Sequence, residues 1–285
     1  MQRFNDSMTR RSFLAGAGNF LTATTLLSRR AGAQTTALPD QGSPLAVRIM
    51  SYGKYQESAW THLPTIGVHY LFLPVPKPAE AAGIQEKLAK NSLKALVCRG
   101  ETDLSKESCV SDLDGQFAVC AQMGVKYLFL SAKRNEAPKE VVYDRLRRAG
   151  ESAQRHGVTL TLETHPDLCT NGTIQLETMK AIQHPNVRIN LDTANISYYN
   201  PGADAVVELK KVLPFLGTVE LKDHTLEPET WNFPILGQGK VNFPEILRTL
   251  REARYTGPIT IEFEGVKGTE LNETQTQAAI TDSVA

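Results

Sequence analysis

Four stretches of this chain end an apolar run in a carboxylate. They are Leu160-Thr161-Leu162-Glu163-Thr164-His165, Arg188-Ile189-Asn190-Leu191-Asp192-Thr193, Val219-Glu220-Leu221-Lys222-Asp223-His224 and Ile259-Thr260-Ile261-Glu262-Phe263-Glu264. Each reads as a buried strand running into a polar loop. Because side chains alternate along a strand, Glu163 shares a face with His165, Glu220 with Lys222, and Glu262 with Glu264. If the strand ends converge, Glu163, Asp192, Glu220 and Glu262 fall into one site. Carboxylates that close raise one another's pKa steeply, so a cation must sit among them. One candidate is a hard divalent ion, Mn²⁺ or Mg²⁺, which suits an all-oxygen ligand set. The other is Lys222, aided by a protonated His165. In either case Glu163 and Glu262 are the natural acid and base pair, and Lys222 is placed to stabilise an oxyanion.

The strand ends converge only if the elements between them allow it. Strand-like runs at Ala46–Ser51, Tyr70–Pro74, Leu93–Cys98, Lys126–Ser131, Thr159–Glu163, Arg188–Asp192, Gly217–Lys222 and Pro258–Phe263 alternate with segments of helical period. The helical segments are Ala79–Ala89, Leu113–Met123, Lys139–His156, Thr173–Ile182, Ala203–Val212 and Phe243–Glu252, with Tyr55–Thr65 as a poor first helix and Glu270–Ala285 as the last. Strand and helix in regular alternation predict a parallel sheet. Eight such units close most simply as a single-domain α/β fold, a (β/α)8 TIM barrel, in which every strand delivers its C-terminal end to one rim. An open doubly wound sheet would want a glycine-rich phosphate loop after an early strand, and none is present.

The 285 residues carry 31 basic and 31 acidic side chains. Residues 1–33 hold Arg3, Arg10, Arg11, Arg29 and Arg30 against Asp6, so the remainder is mildly acidic, which argues against a nucleic-acid partner. Thr9-Arg10-Arg11-Ser12-Phe13-Leu14, a weakly apolar run and Ala31-Gly32-Ala33 together resemble a twin-arginine export signal cleaved before Gln34. That resemblance implies a periplasmic protein with no membrane span after cleavage. A polar connector at 34–43 follows, and the barrel is expected over 44–285. Cys98, Cys109, Cys120 and Cys169 show no C-x-x-C spacing, so neither a zinc finger nor a thioredoxin-like motif is present.

The five pieces Leu162-Glu163-Thr164-His165, Leu191-Asp192-Thr193-Ala194-Asn195, Val219-Glu220-Leu221-Lys222-Asp223, Leu236-Gly237-Gln238-Gly239-Lys240-Val241-Asn242-Phe243-Pro244 and Gly257-Pro258-Ile259-Thr260-Ile261-Glu262 occur in the order found in the xylose-isomerase-like superfamily. The chain resembles that superfamily, which holds sugar isomerases and epimerases, inosose dehydratases and endonuclease IV. The resemblance implies a divalent metal held by Glu163, Asp192 and Glu262. Glu220 stands where the family carries His, Asn195 where many members carry His, and Leu71-Phe72-Leu73-Pro74 where a strand-two Glu is common. With Glu220 counted, the expected ligand set is Glu163, Asp192, Glu220 and Glu262.

What the resemblance implies is an isomerase or epimerase that removes a proton beside the carbonyl of an unphosphorylated ketose or keto-sugar. The same abstraction followed by loss of a β-leaving group would give a lyase, acting on a keto-inositol or a 3-keto-glycoside. A barrel that binds carbohydrate without catalysis is the reading from another class, and association into homo-oligomers is left open. His165 and, one step further out, His224 are expected substrate contacts. Trp231, in the loop Glu227–Gly237, is expected to stack on a sugar face. Arg99 and Glu101 close strand three, and a surface ion pair between them is expected.

Overall fold

Runs such as Tyr70–Pro74 and Thr159–Glu163 are rich in the β-branched and aromatic residues that favour strands. In the computed structural model, which describes residues 42–285, they become the staves of a closed parallel barrel. The expected export leader at 1–33 and most of the expected connector at 34–43 lie outside the described residues. The barrel strands are β1 (Leu45–Arg48), β2 (Tyr70–Pro74), β3 (Lys94–Arg99), β4 (Tyr127–Leu130), β5 (Thr159–Glu163), β6 (Val187–Asp192), β7 (Leu216–Leu221) and β9 (Ile259–Ile261). A short antiparallel pair, β8 (Asn232–Phe233) with β10 (Gly265–Val266), ties the loop after β7 to the loop after β9. Closure is made by β1, where Ala46 lies opposite both Tyr70 of β2 and Thr260 of β9.

The helices are α1 (Ala59–Thr65), α2 (Ala81–Lys90), α3 (Cys109–Gln122), α4 (Lys139–His156), α5 (Gly172–Ile182), α6 (Thr193–Tyr199), α7 (Ala205–Val212), α8 (Phe243–Glu252) and α9 (Glu273–Val284). The expected first helix starts later than its periodicity suggests, because residues Ile49–Ser58 form a 3₁₀ run broken at Gly53. Gly53 adopts φ 54° and ψ −125°, a region that L side chains avoid, and it breaks the run there. The one helix with no counterpart in the sequence reading is α6. It starts within one residue of the β6 carboxylate because Asp192 is its N-cap, accepting from the backbone N–H groups of Ala194 and Asn195. No described helix is long and apolar enough to cross a membrane.

The apolar core lies mainly between barrel and helices. Inside the barrel only Ala46, Phe72, Val97 and Phe129 form an apolar cluster, all on β1–β4. The other half of the interior is lined by Thr161, Asn190, Thr218 and Thr260, all buried. Their polar groups are satisfied at close quarters, as where Asn190 Nδ2 donates to Thr218 Oγ1 at 2.8 Å. One alternation further along each strand come Arg48, Glu163, Asp192, Glu220 and Glu262, every one buried. The barrel thus carries an apolar plug under one half of its rim and a polar floor under the other.

Candidate active site

Register alone brings Asp192 of β6 opposite Glu220 of β7, and Glu220 opposite Thr260 of β9, two residues before Glu262. Glu163, Asp192 and Glu220 each present a carboxylate oxygen, and these lie within 4.8 Å of one another. Glu262 stands just outside that triad because two cations hold its oxygens. Arg48 Nη1 contacts it directly and reaches Glu220 Oε1 at 3.3 Å. Lys222 Nζ lies 3.1 Å from Glu262 Oε2 and 3.9 Å from Asp192 Oδ2, and makes a closer contact still with Glu264. The cation beside Glu220 is therefore Arg48, while Lys222 serves Asp192, Glu262 and Glu264.

Arg48 was not among the residues singled out from the sequence. It rests over the rings of Phe72 and Phe129, at 4.9 and 5.1 Å from their centroids, so the apolar plug doubles as its seat. The signal was present, since alternation along Leu45–Arg48 puts Arg48 on the same face as Ala46, pointing into the barrel.

Burial sets the charge state of the cluster. It pushes the Asp192 carboxyl up to about 7, with Lys222 pulling the other way and Glu262 adding to the rise. It pushes Glu220 well above the usual carboxylate range despite Arg48. Burial would raise Glu262 as well, but Lys222 and Arg48 together bring it below its ordinary value, so Glu262 is ionised. For Lys222 burial works against the charge and is outweighed by Glu262, Asp192 and Glu264, which keep it an ammonium.

Two buried oxygens in this cluster, Asp192 Oδ2 and Glu220 Oε2, have no hydrogen-bond partner. Unpaired carboxylate oxygens this deeply buried are costly unless a cation or a proton meets them. Together with the triad's geometry and its all-oxygen donors, they fit a hard divalent ion.

Glu163 accepts hydrogen bonds from Ser131 Oγ and, at 3.5 Å, from Asn195 Nδ2. Asn195 also donates to the Thr164 carbonyl at 2.9 Å and accepts from Lys222 Nζ at 3.5 Å. Asn195 thus links the Glu163 carboxylate to the lysine.

Above the cluster lies a cavity of ≈ 290 Å³ lined by Arg48, Arg99, Ser131, Lys133, Glu163, His165, Asn195, Tyr198, Tyr199, Lys222, Trp231, Phe233, Glu262 and Glu264. His165 reaches it, with Nδ1 bound to the Pro166 carbonyl at 2.6 Å, which leaves Nε2 for a ligand. Trp231 is 43% exposed and overhangs the same space. His224 is drawn away from it. Its ring is fully buried, engaged by Ser197 Oγ at 2.8 Å and the Thr230 carbonyl at 3.0 Å, and stacked on Phe233. It props the aromatic wall from behind instead of meeting a substrate.

The neighbouring Asp223 fixes the loop that carries Trp231. Its carboxylate accepts the backbone N–H groups of His224, Gly237, Gly239 and Val241 at 2.8–3.1 Å. A Cβ on Gly239 would lie 2.2 Å from Asp223 Oδ1, which explains the glycine in Leu236-Gly237-Gln238-Gly239. The expected Arg99–Glu101 ion pair does not form among the described residues. Gln116 instead bonds both the N–H and the carbonyl of Glu101, and Arg99 turns to the cavity.

The model of the family described as a xylose isomerase-like TIM barrel matches residues 63–282. A curated 3-dehydroshikimate dehydratase from Bacillus anthracis is 28% identical over 139 residues, covering 43% of this chain and 49% of that protein. The chain therefore spans about half the length of the curated relative it matches. Among solved structures, a D-psicose 3-epimerase with D-tagatose from Clostridium cellulolyticum H10 superposes with a TM-score of 0.66 at 14% identity, covering 85% of this chain and 98% of that one. A xylose isomerase-like TIM barrel protein from Mycobacterium smegmatis in complex with magnesium gives 0.66 at 16% identity, covering 85% and 98%. At these identities the structural likeness establishes the fold.

Proposed function

This chain belongs to the xylose isomerase-like TIM barrel family, and from its site we propose that it is an enzyme that moves a proton beside the carbonyl of a small polyhydroxylated keto compound, as a sugar isomerase or epimerase does. The observation that carries this reading is the pairing of two buried carboxylates, Glu163 and Glu262, around one cavity, with the Lys222 ammonium 3.1 Å from Glu262. Glu262, kept ionised by its two cations, takes the proton from carbon. The electron pair left behind moves toward the carbonyl oxygen, whose developing charge Lys222 meets. Glu163, as the acid of the pair, returns a proton to the same or the neighbouring carbon. His165 and Trp231 hold the ligand, the first by a hydroxyl and the second by stacking.

Glu163, Asp192 and Glu220, with Glu262 beside them, would hold a divalent ion, Mn²⁺ or Mg²⁺, and such an ion polarises a carbonyl and stabilises an enediolate. At a free Mn²⁺ or Mg²⁺ concentration about 100 times its Kd, the bound ion adds about 2.7 kcal/mol of stability, seen as a higher melting temperature. Asp192→Asn and Glu220→Gln should each weaken that shift, and Zn²⁺ should give a smaller one. No shift with any of the three ions, in agreement with elemental analysis finding none bound, would leave Lys222 and Arg48 as the cations that serve the site.

A lyase on the same barrel is the second reading, favoured by the name of the curated relative, a 3-dehydroshikimate dehydratase. Incubation in deuterated water with unphosphorylated ketoses, keto-inositols, 3-keto-glycosides and 3-dehydroshikimate separates the two. Deuterium on carbon in an isomeric product supports an isomerase or epimerase, and a product lighter by water or an aglycone supports a lyase. Unchanged, undeuterated compounds throughout would return the carbohydrate-binding reading to first place.

The leader at 1–33 supports a periplasmic setting, where free sugars outnumber sugar phosphates. Replacing Arg10 and Arg11 by Lys should hold the precursor in the cytoplasm, whereas the wild-type periplasmic fraction should yield a chain starting at Gln34 by mass spectrometry. Normal export of the double variant would refute the twin-arginine assignment.

A further inference from the structure

The carboxylates of the site already absorb Arg48 and Lys222 in ion pairs. Two more cations line the same cavity, Arg99 at the end of β3 and Lys133 just beyond β4. Among the described residues neither makes an ion pair, and the Arg99 Nε is buried with no hydrogen-bond partner at all. Two cations kept at the wall of an open site with no ion-pair partner among the described residues point to one that arrives with the ligand.

Placement in the barrel says which part of the ligand that partner is. In the closed order β1-β2-β3-β4-β5-β6-β7-β9, strands β3 and β4 stand across the barrel from β7 and β9, which carry Lys222 and lead into Glu262. The cavity is therefore polarised, with Lys222 and Glu262 on one wall, Arg99 and Lys133 on the opposite one, and Glu163 of β5 between them. A neutral ketose would offer only hydroxyls to Arg99 and Lys133. An oxyanion would meet the guanidinium and the ammonium together, through the charge-assisted bonds that Arg suits best.

We propose that Arg99 and Lys133 form a subsite for an anionic group of the substrate, so that the compound whose proton is moved is an acid, carrying a carboxylate or phosphate across the ring from its reacting carbonyl. The inference rests on the proton-transfer reading for what happens at the other wall, but its own content is charge recognition. The planar fork of a guanidinium matches a planar carboxylate, which makes a keto acid the expected class and a keto phosphate the alternative source of the same charge.

The test is equilibrium binding by calorimetry with matched probes: D-fructose, D-fructuronate and D-fructose 6-phosphate, and 3-dehydroshikimate beside its neutral methyl ester. At least one acid should bind about tenfold or more tightly than its neutral parent, the scale of one charge-assisted contact. Arg99→Gln should abolish that preference while leaving the weak affinity for the neutral parent unchanged. Lys133→Gln, at an exposed position where folding is not at stake, should reduce it as well, and Lys133→Arg should restore it. Preference for the phosphate over the carboxylate would assign the group as phosphate. Equal affinity for acids and neutral parents, no binding of any acid, or an equal loss for charged and neutral probes in both Gln variants would overturn the subsite. Acids that bind but return unchanged and undeuterated would instead sink the proton-transfer reading and leave the subsite standing.

Discussion

Glu163→Gln and Glu262→Gln should each cut turnover by about 10²-fold or more, the loss expected when a general acid or base is removed from a transition state it serves. The two losses should not add, because both groups act on one proton transfer and the second removal finds little left to lose. The variants should differ in another respect. Glu262 carries both Arg48 and Lys222, so Glu262→Gln also removes one of the carboxylates that position the ammonium meeting the oxyanion. The hydrogen-bond partners of Glu163 among the described residues are neutral, Ser131 and Asn195, so Glu163→Gln should leave the fold's stability close to wild type. Single-turnover kinetics checks the first claim and urea denaturation the second. Near-normal turnover in either variant would remove catalysis from this rim.

The second large effect concerns stability. Arg48→Met should destabilise the fold by about 3–5 kcal/mol, because it strands Glu262 as a buried charge with one cation fewer and leaves Glu220 without its ion-pair partner. The methionine keeps much of the contact with Phe72 and Phe129, so the loss reports charge more than packing. Arg48→Met combined with Glu220→Met should recover much of it, since a buried pair replaced by apolar groups of similar size is often neutral. Urea midpoints at constant m-value measure both. If the single variant unfolds at the wild-type midpoint, Arg48 is not what neutralises the floor of the site.

These two predictions draw on different depths of the sequence. Glu163 and Glu262 could be named from alternation at the ends of apolar runs, because a strand has only two faces and one of them must be the core. Arg48 follows the same rule but lies inside the expected strand Ala46–Ser51, which ends in no carboxylate to mark it. Only the closing of β1 against β2 and β9 turns that face inward, over Phe72 and Phe129 and beneath two carboxylates from elements 172 and 214 residues away. Glu264 is a similar case. Its shared face with Glu262 was legible, whereas its contact with Lys222 was not.

Local chemistry therefore determined the order of strands and helices, the barrel class and the identity of the carboxylates, since period, caps and turns act over a few residues. Tertiary structure decided which cation meets which carboxylate, and it placed His224 behind the aromatic wall. It also turned Arg99 away from Glu101 and let Asp192 start α6 at once. Those outcomes depend on distances between strand ends far apart in the chain. In a buried site the energy of each charge is set by its neighbours in space, not by its neighbours in sequence.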